Sequence, residues 1–271
     1  MMSPPDLSVL GAFGIADTVP TPLAGGQGTT WLAGGVVLKP ISGLEEAEWV
    51  ASVLHELPES GYRVSRPIRS NAGAWTTSGW SAWSWVSGSH DLTRGWKDVL
   101  AAGRSFHLAL GDLTRPAFLD QRNDPWSLGD RAAWGTPTPT VTHQEFRPIV
   151  EVLAALRTPC EQRGQIVHGD LAGNVLFDDP RPPAIIDFVP YWRPAAFADA
   201  IVVADAILWH GAGPGLVDCL GGEARSMLAR AAIYRLVTSD LAAARHEHDR
   251  SDYLAQEVNA QSRLLSVVEA M

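Results

Sequence analysis

The sequence predicts an α+β fold in two parts, a small β-rich lobe over residues 1–86 and a larger, mainly helical lobe over 87–271. Three observations predict it. The first third carries short apolar and β-branched pieces separated by Gly and Ser, a strand-and-turn pattern interrupted by one helix. After Gly88 the apolar residues recur at helical spacing. A 46% apolar content over 271 residues is enough to bury a sizeable core, in one large domain or two lobes.

The elements follow in order. "TPLAGGQGTTWLAGGVVLKP" (21–40) reads as a twisted hairpin and a third strand ending at Lys39. "SGLEEAEWVASVLHEL" has apolar residues at 44, 47, 50, 51, 54 and 57, a helical period, with Ser42 as its cap. "GYRVSRPIRS" and "AWTTSGWSAWSWV" return to strand chemistry, turning near Gly79. "LTRGWKDVLAAGRSFHLAL" is a helix ending near Gly111, and the Pro- and Asp-rich stretch 115–140 reads as a loop. Within it Asp124, Trp126, Asp130 and Trp134 suit either a greeting for a cationic substrate or a capped turn anchored by tryptophans. The next helix runs through "RPIVEVLAALRT"; Thr142 and Glu145 resemble a capping box, but Pro148 fits better as the first helical residue. Two short strands, "VLFDD" and "AIIDF", precede an apolar helix from about 195 to 209 and a helical C-terminal region.

Composition narrows the partners. A formal charge of −9 and a pI near 5.3 argue against general affinity for nucleic acid or an anionic membrane. The start lacks a basic segment followed by an apolar run, so no secretory signal is expected. The longest apolar stretch is short for a bilayer span and contains Asp199 and Asp205. Two cysteines, Cys160 and Cys219, fit a reducing, cytoplasmic setting. Lys39 and Lys97 are the only lysines.

The chemistry concentrates in "QIVHGDLAGNVLFDD" (165–179) and the "IIDF" that follows at 185–188. Phosphoryl transfer from a nucleotide needs groups that hold the phosphates, metal ions that bridge their oxygens, and a carboxylate that orients the attacking hydroxyl. Lys39 at a strand end, "GGQGTT" with Gly26 and Gly28, Asp170, Asn174 and Asp187 supply such parts in order. Alone, a Gly-rich hairpin is more often a plain turn, and a strand lysine a solvated edge residue.

Here the chain resembles the aminoglycoside phosphotransferase family, in an actinobacterial branch, which shares a bilobal protein-kinase-like fold with choline kinases. The resemblance rests on His-Gly-Asp-Leu at 168–171, the Asn that follows, and Ile-Asp-Phe at 186–188. It implies a kinase that transfers the γ-phosphate of ATP or GTP to a hydroxyl of an aminoglycoside-like, amino-sugar or other metabolite. By resemblance, Asp170 is the catalytic carboxylate, and Asn174 and Asp187 are Mg2+ ligands. Lys39 meets the phosphates beneath Gly26 and Gly28, with Glu46 as its helical partner and Glu48 as rival. The Ser84 carbonyl and Val86 N–H of the connector meet adenine, while Trp83 and Trp85 are expected to pack beneath it.

Two departures stand out. Asp170 to Asn174 spans four positions where the family has five, and "RPA" at 193–195 replaces the family's Gly-Asp-Pro. Asp199 matches a later family Asp that braces the catalytic loop. The shortened loop keeps a second reading open, a nucleotide-binding regulatory protein with a degenerate site and no phosphotransfer. A metal-dependent hydrolase built on His168, Asp170 and Asp187 is a third, which leaves Lys39 without purpose. The acceptor and the oligomeric state are not legible.

Overall fold

The computed structural model describes residues 3–23, 28–90, 95–243 and 250–271. In chain order the elements begin with α1 (Leu7–Ala12), β1 (Thr21–Pro22), β2 (Trp31–Ala33), β3 (Val36–Pro40) and α2 (Leu44–Glu56). Short strands β4 (Arg63–Val64), β5 (Pro67–Ile68), β6 (Thr76–Thr77) and β7 (Trp80–Ser84) follow, then α3 (Trp96–Ala109), α4 (Pro125–Trp134) and α5 (Arg147–Ala155). The chain continues through β8 (Gln165–His168), β9 (Val175–Asp178), β10 (Arg181–Ile185) and β11 (Pro190–Arg193). It ends with α6 (Ala195–Trp209), α7 (Ala224–Ala243) and α8 (Arg250–Ala270). This is the α+β content expected.

Two compact units emerge, the first made of Met1–Asp91 with Val175–Phe188, the second of Leu92–Asn174 with Val189–Met271. The first is therefore discontinuous, unlike the contiguous 1–86 segment. The reason is strand pairing: β10 lies parallel to β4, with Ala184 opposite Arg63, and antiparallel to β9. Arg63 adds side-chain bonds to the carbonyls of Pro182 (2.8 Å) and Ser87 (3.1 Å).

The main sheet of unit 1 runs β1-β2-β3-β7-β5, with β6 on β7, its strand pairs antiparallel. The short helix α1, unread in the sequence, is capped by Asp6, whose side chain accepts from the Val9 N–H. It buries Val9, Leu10 and Phe13 against Trp31, Leu38 and Trp80. Helix α2 buries Val50, Ala51 and Leu54, as its spacing requires. Its cap is an extended Gly43 without a side-chain bond; Ser42 does not cap it.

Unit 2 is built around α6, an almost wholly buried helix flanked by α3, α7 and α8. The stretch expected to be a loop holds α4. Asp124 accepts from the Ser127 N–H at 2.9 Å and Pro125 opens the first turn, so Asp and Pro there start a helix. Gly129 is needed for packing: a Cβ there would stand 2.6 Å from both Thr238 Oγ1 and the Tyr234 carbonyl of α7. Pro148 sits in the first turn of α5, one residue after Arg147; Thr142 instead donates its N–H to Asp240 at 2.7 Å. A second pair of strands, β8 and β11, is antiparallel with Pro190 opposite His168 and Arg193 opposite Gln165. Among the described residues no helix is long and apolar enough to cross a membrane.

Candidate active site

In unit 1, β3 is hydrogen-bonded between β2 and β7, which sets Lys39 opposite Ser81. Lys39 Nζ forms an ion pair with Asp187 Oδ1. The two residues are far apart in sequence, and β10 is what brings the second to the first. Asp187 follows β10 with φ 52°, a left-handed conformation uncommon outside Gly, Asn and Asp. The next residue, Phe188, is buried against Trp49 of α2, with ring centroids 6.4 Å apart. Burial lowers the Lys39 pKa to about 8, against which the neighbouring carboxylate acts.

Of the two glutamates proposed beside Lys39, Glu48 accepts from Thr76 Oγ1 at 2.8 Å, and Glu46 lies in the first turn of α2. Asp187 is a carboxylate that reaches the lysine. Gly26 lies outside the described residues. Gly28 has φ 67°, with nothing within 4 Å of where a Cβ would stand. Ser84 is tied on three sides: its N–H donates to Arg66 O (2.7 Å), its Oγ accepts from Arg66 N (2.8 Å), and its carbonyl accepts from Ser65 Oγ (2.6 Å). That carbonyl keeps a second lone pair. Val86 is half-buried. Trp83 bonds Ser81 Oγ through its indole N–H, whereas Trp85 is 48% exposed and does not pack as expected.

In unit 2 the loop after β8 is held from several sides. His168 is fully buried; its N–H donates to His107 Nε2 at 3.0 Å, and its Nδ1 accepts from the Asp170 N–H at 3.1 Å. These bonds make His168 a fixing point of the loop. Burial, then His168, pushes the His107 pKa down to about 3, so it is a neutral acceptor. Gly169 donates to the Val189 carbonyl, and a Cβ on it would overlap the Tyr191 ring. Only glycine lets the loop lie that close to β11.

Asp170 projects from this loop with its side chain 49% exposed. Its Oδ1 accepts from Arg235 Nη2 at 2.7 Å, while Oδ2 has only a 3.4 Å contact to Asn174 Nδ2. The same Nδ2 donates to the Asp170 carbonyl at 2.6 Å. That bond fixes the amide orientation and turns the Asn174 Oδ1 away from Asp170. The four-position spacing therefore makes a closed turn of its own, reinforced by Asn174 N–H to Leu171 O at 2.9 Å.

The part that sequence reasoning missed lies behind Asp170. Arg235 of α7 is buried and also grips Asp205 of α6, Nε to Oδ1 at 2.6 Å and Nη2 to Oδ2 at 2.5 Å. Burial raises the Asp205 pKa to about 6, with Arg235 pulling it back. Burial opposes the Arg235 charge too, but Asp205, Tyr234 and Asp170 hold its pKa well above the ordinary value. A signal existed: an Asp inside an otherwise apolar helix needs a buried partner. Asp199, expected to brace this loop, is paired with Arg104 at 2.7 Å. Arg104 also bonds the Cys219 carbonyl, tying α3 to α6 and the segment beyond it.

Among the described residues no group of three or more His, Cys, Asp and Glu could hold a metal ion. Asp187 in unit 1 and Asn174 in unit 2 each carry a hard oxygen of the kind Mg2+ takes.

Residues 20–215 match the model of a family described as the phosphotransferase enzyme family. No curated protein matches the chain. An aminoglycoside phosphotransferase from Alicyclobacillus acidocaldarius superposes with TM-score 0.62 at 15% identity, over 100% of this chain and 97% of its own. A spectinomycin phosphotransferase, solved with ADP and spectinomycin, gives 0.56 at 14%, covering 93% of this chain and 92% of its own. A thermostable variant of another aminoglycoside phosphotransferase, solved with ADP and hygromycin B, gives 0.59 at 16%, covering 97% of each. The fold is thus the kinase-like one these proteins share.

Proposed function

This chain belongs to the phosphotransferase enzyme family, and from that premise we propose that it is a small-molecule kinase. It transfers the γ-phosphate of ATP or GTP to a hydroxyl of an aminoglycoside-like, amino-sugar or other metabolite. The observation that carries the reading is the state of Asp170: one carboxylate oxygen is held by a buried guanidinium and the other is available. Neighbours solved with ADP support a nucleotide as donor.

In this mechanism Asp170 Oδ2 accepts the proton of the acceptor hydroxyl while the hydroxyl oxygen attacks the γ-phosphorus. A new P–O bond forms, and the bond to the nucleoside diphosphate breaks. Arg235 keeps the carboxylate from rotating. Lys39 binds phosphate oxygens, for which it must exchange its pairing with Asp187. Asp187 and the Asn174 Oδ1 would hold Mg2+, which when bound neutralises charge on the phosphates. The Ser84 carbonyl and Val86 N–H serve adenine. Both cysteines are free thiols, in keeping with the cytoplasmic setting proposed from the sequence.

The test is Asp170→Asn, read by nucleotide titration with Mg2+ and by phosphate transfer over a panel of hydroxyl compounds. Transfer should fall on the order of 10²–10⁴-fold with nucleotide binding kept. Unimpaired transfer refutes the role given to Asp170. The spacing of Asp170 and Asn174 favours one alternative, a nucleotide-binding regulator, which would bind nucleotide tightly and transfer nothing across the panel.

A further inference from the structure

We propose that Trp209 sets the acceptor specificity: its indole lies against a saturated ring, of a sugar or a cyclitol, whose neighbouring oxygens engage Asp170 and Arg235. That this ring compound is the acceptor rests on the kinase reading; the ring site in unit 2 does not.

The oxygen-binding part follows from the planarity of a guanidinium, which offers one fork of N–H donors along its Nε side and another at its tip. Asp205 fills the side fork of Arg235, Nε to Oδ1 at 2.6 Å and Nη2 to Oδ2 at 2.5 Å. At the tip, the second N–H of Nη2 goes to Asp170 Oδ1 at 2.7 Å. The parallel N–H of Nη1 has no partner among the described residues, and Nη1 is not one of the unpartnered atoms sealed from solvent. An arginine whose side chain is only 4% exposed thus keeps a donor unused beside Asp170. Asp170 Oδ2, with its single 3.4 Å contact, is available next to it. Two neighbouring oxygens of one ligand match this arrangement. One hydroxyl donates to Asp170 Oδ2, and the next oxygen accepts from Arg235 Nη1.

The apolar part is Trp209. It lies one helical turn after Asp205 on α6, hence on the same face, and its ring centroid is 5.6 Å from Arg235 Cζ. It is 44% exposed, yet it is not a loose surface ring. Its indole N–H donates to Glu257 Oε1 of α8 at 3.2 Å, and Glu257 Oε2 accepts from Ser239 Oγ of α7 at 2.7 Å. The end of α6 is fixed as well: the Leu208 carbonyl accepts from Arg263 Nη2 at 3.1 Å, and the His210 ring sits 5.1 Å from that of Trp96. Three helices therefore hold one exposed aromatic plane in a set orientation, beside the guanidinium that grips Asp170. A saturated ring carries C–H groups on its faces and hydroxyls at its edge. Its face rests on the indole while its oxygens meet the polar groups. An open chain loses rotamer freedom to do the same.

Ligand-observed NMR titration of the full-length protein tests this with two matched comparisons. One is myo-inositol against sorbitol, ring and chain each with a hydroxyl on every carbon. The other is trans-cyclohexane-1,2-diol against cyclohexanol, which lacks the neighbouring oxygen. The ring should bind roughly three- to tenfold more tightly than the chain, and the diol than the alcohol. Methyl β-D-glucopyranoside is titrated beside myo-inositol, and the better of the two names the class. Trp209→Ala should erase the ring preference while leaving sorbitol and nucleotide binding as they are, and Trp209→Phe should restore most of it. Thermal melts accompany each variant. Should Trp209→Ala unfold, Glu257→Ala, which frees the indole, should reduce the same preference and carries the test. The proposal is overturned if sorbitol binds as well as the ring, if cyclohexanol matches the diol, if the folded variants keep the ring preference, or if no ring compound binds. Nucleotide binding with Mg2+ is measured on the same samples. Its absence beside an intact ring preference would count against the kinase reading alone.

Discussion

Replacing Arg235 by Met separates what it does for the fold from what it does for Asp170. The guanidinium is the partner of Asp205, whose side chain is 3% exposed. Removing one member of a buried pair costs about 3–5 kcal/mol, because the other charge stays buried. Asp205 can escape by taking a proton. From its ordinary pKa of 3.8, that costs ~4 kcal/mol at pH 7, which caps the charge penalty. The sign follows: the folded variant keeps a proton on Asp205 that the unfolded chain releases. The destabilisation therefore shrinks by about 1.4 kcal/mol per unit as pH falls from neutrality toward 5. Urea unfolding at several pH values measures it. Turnover is a separate matter, because Asp170 also loses its anchor, and a misplacement near 1 Å costs on the order of 10²-fold. Adding Asp205→Leu removes the stranded carboxyl and should restore stability. It should not restore ATP turnover, read as ADP formation with an acceptor or with water in its place. A double variant that regains both would refute the claim that Arg235 positions Asp170.

Three further outcomes are expected. The kcat/KM for nucleotide should fall as pH rises through about 8, where Lys39 loses its proton and with it the charge that meets phosphate. Lys39→Arg, charged throughout, should lack that alkaline limb; matching limbs would contradict the assignment. Gly169→Ala drives a methyl into the Tyr191 ring, so it should cost about 1–3 kcal/mol by thermal melt. It should lower kcat more than it changes the nucleotide KM. Asn174→Ala should raise the Mg2+ needed for half-maximal activity by roughly tenfold or more, measured by metal titration after chelation.

The helices were legible wherever apolar spacing sets their buried face, as at Leu44–Glu56 and Ala195–Trp209. Helix α4 was not. Its Asp-Pro start and central Gly are loop chemistry locally, and only the contact with α7 shows why glycine is there. The strand β11 was unread because Pro190 and Pro194 bracket it with breaking signals, and its pairing with β8 is long-range. Of the proposed site residues, Asp170, Asn174 and Asp187 stand in the runs that carry the family resemblance, and Lys39 was picked out as a strand-end lysine. The clamp of Arg235 and Asp205 has no motif, since its members lie on separate helices and meet through packing alone.

The hairpin of β9 and β10 has a practical meaning for anyone cutting the chain into pieces. In a fragment stopping at Asp91, β4 would have lost its parallel neighbour and Lys39 its counter-ion. Expressed alone, such a piece should be insoluble or molten. Joining Val175–Phe188 to it through a short linker should yield a folded, autonomous half.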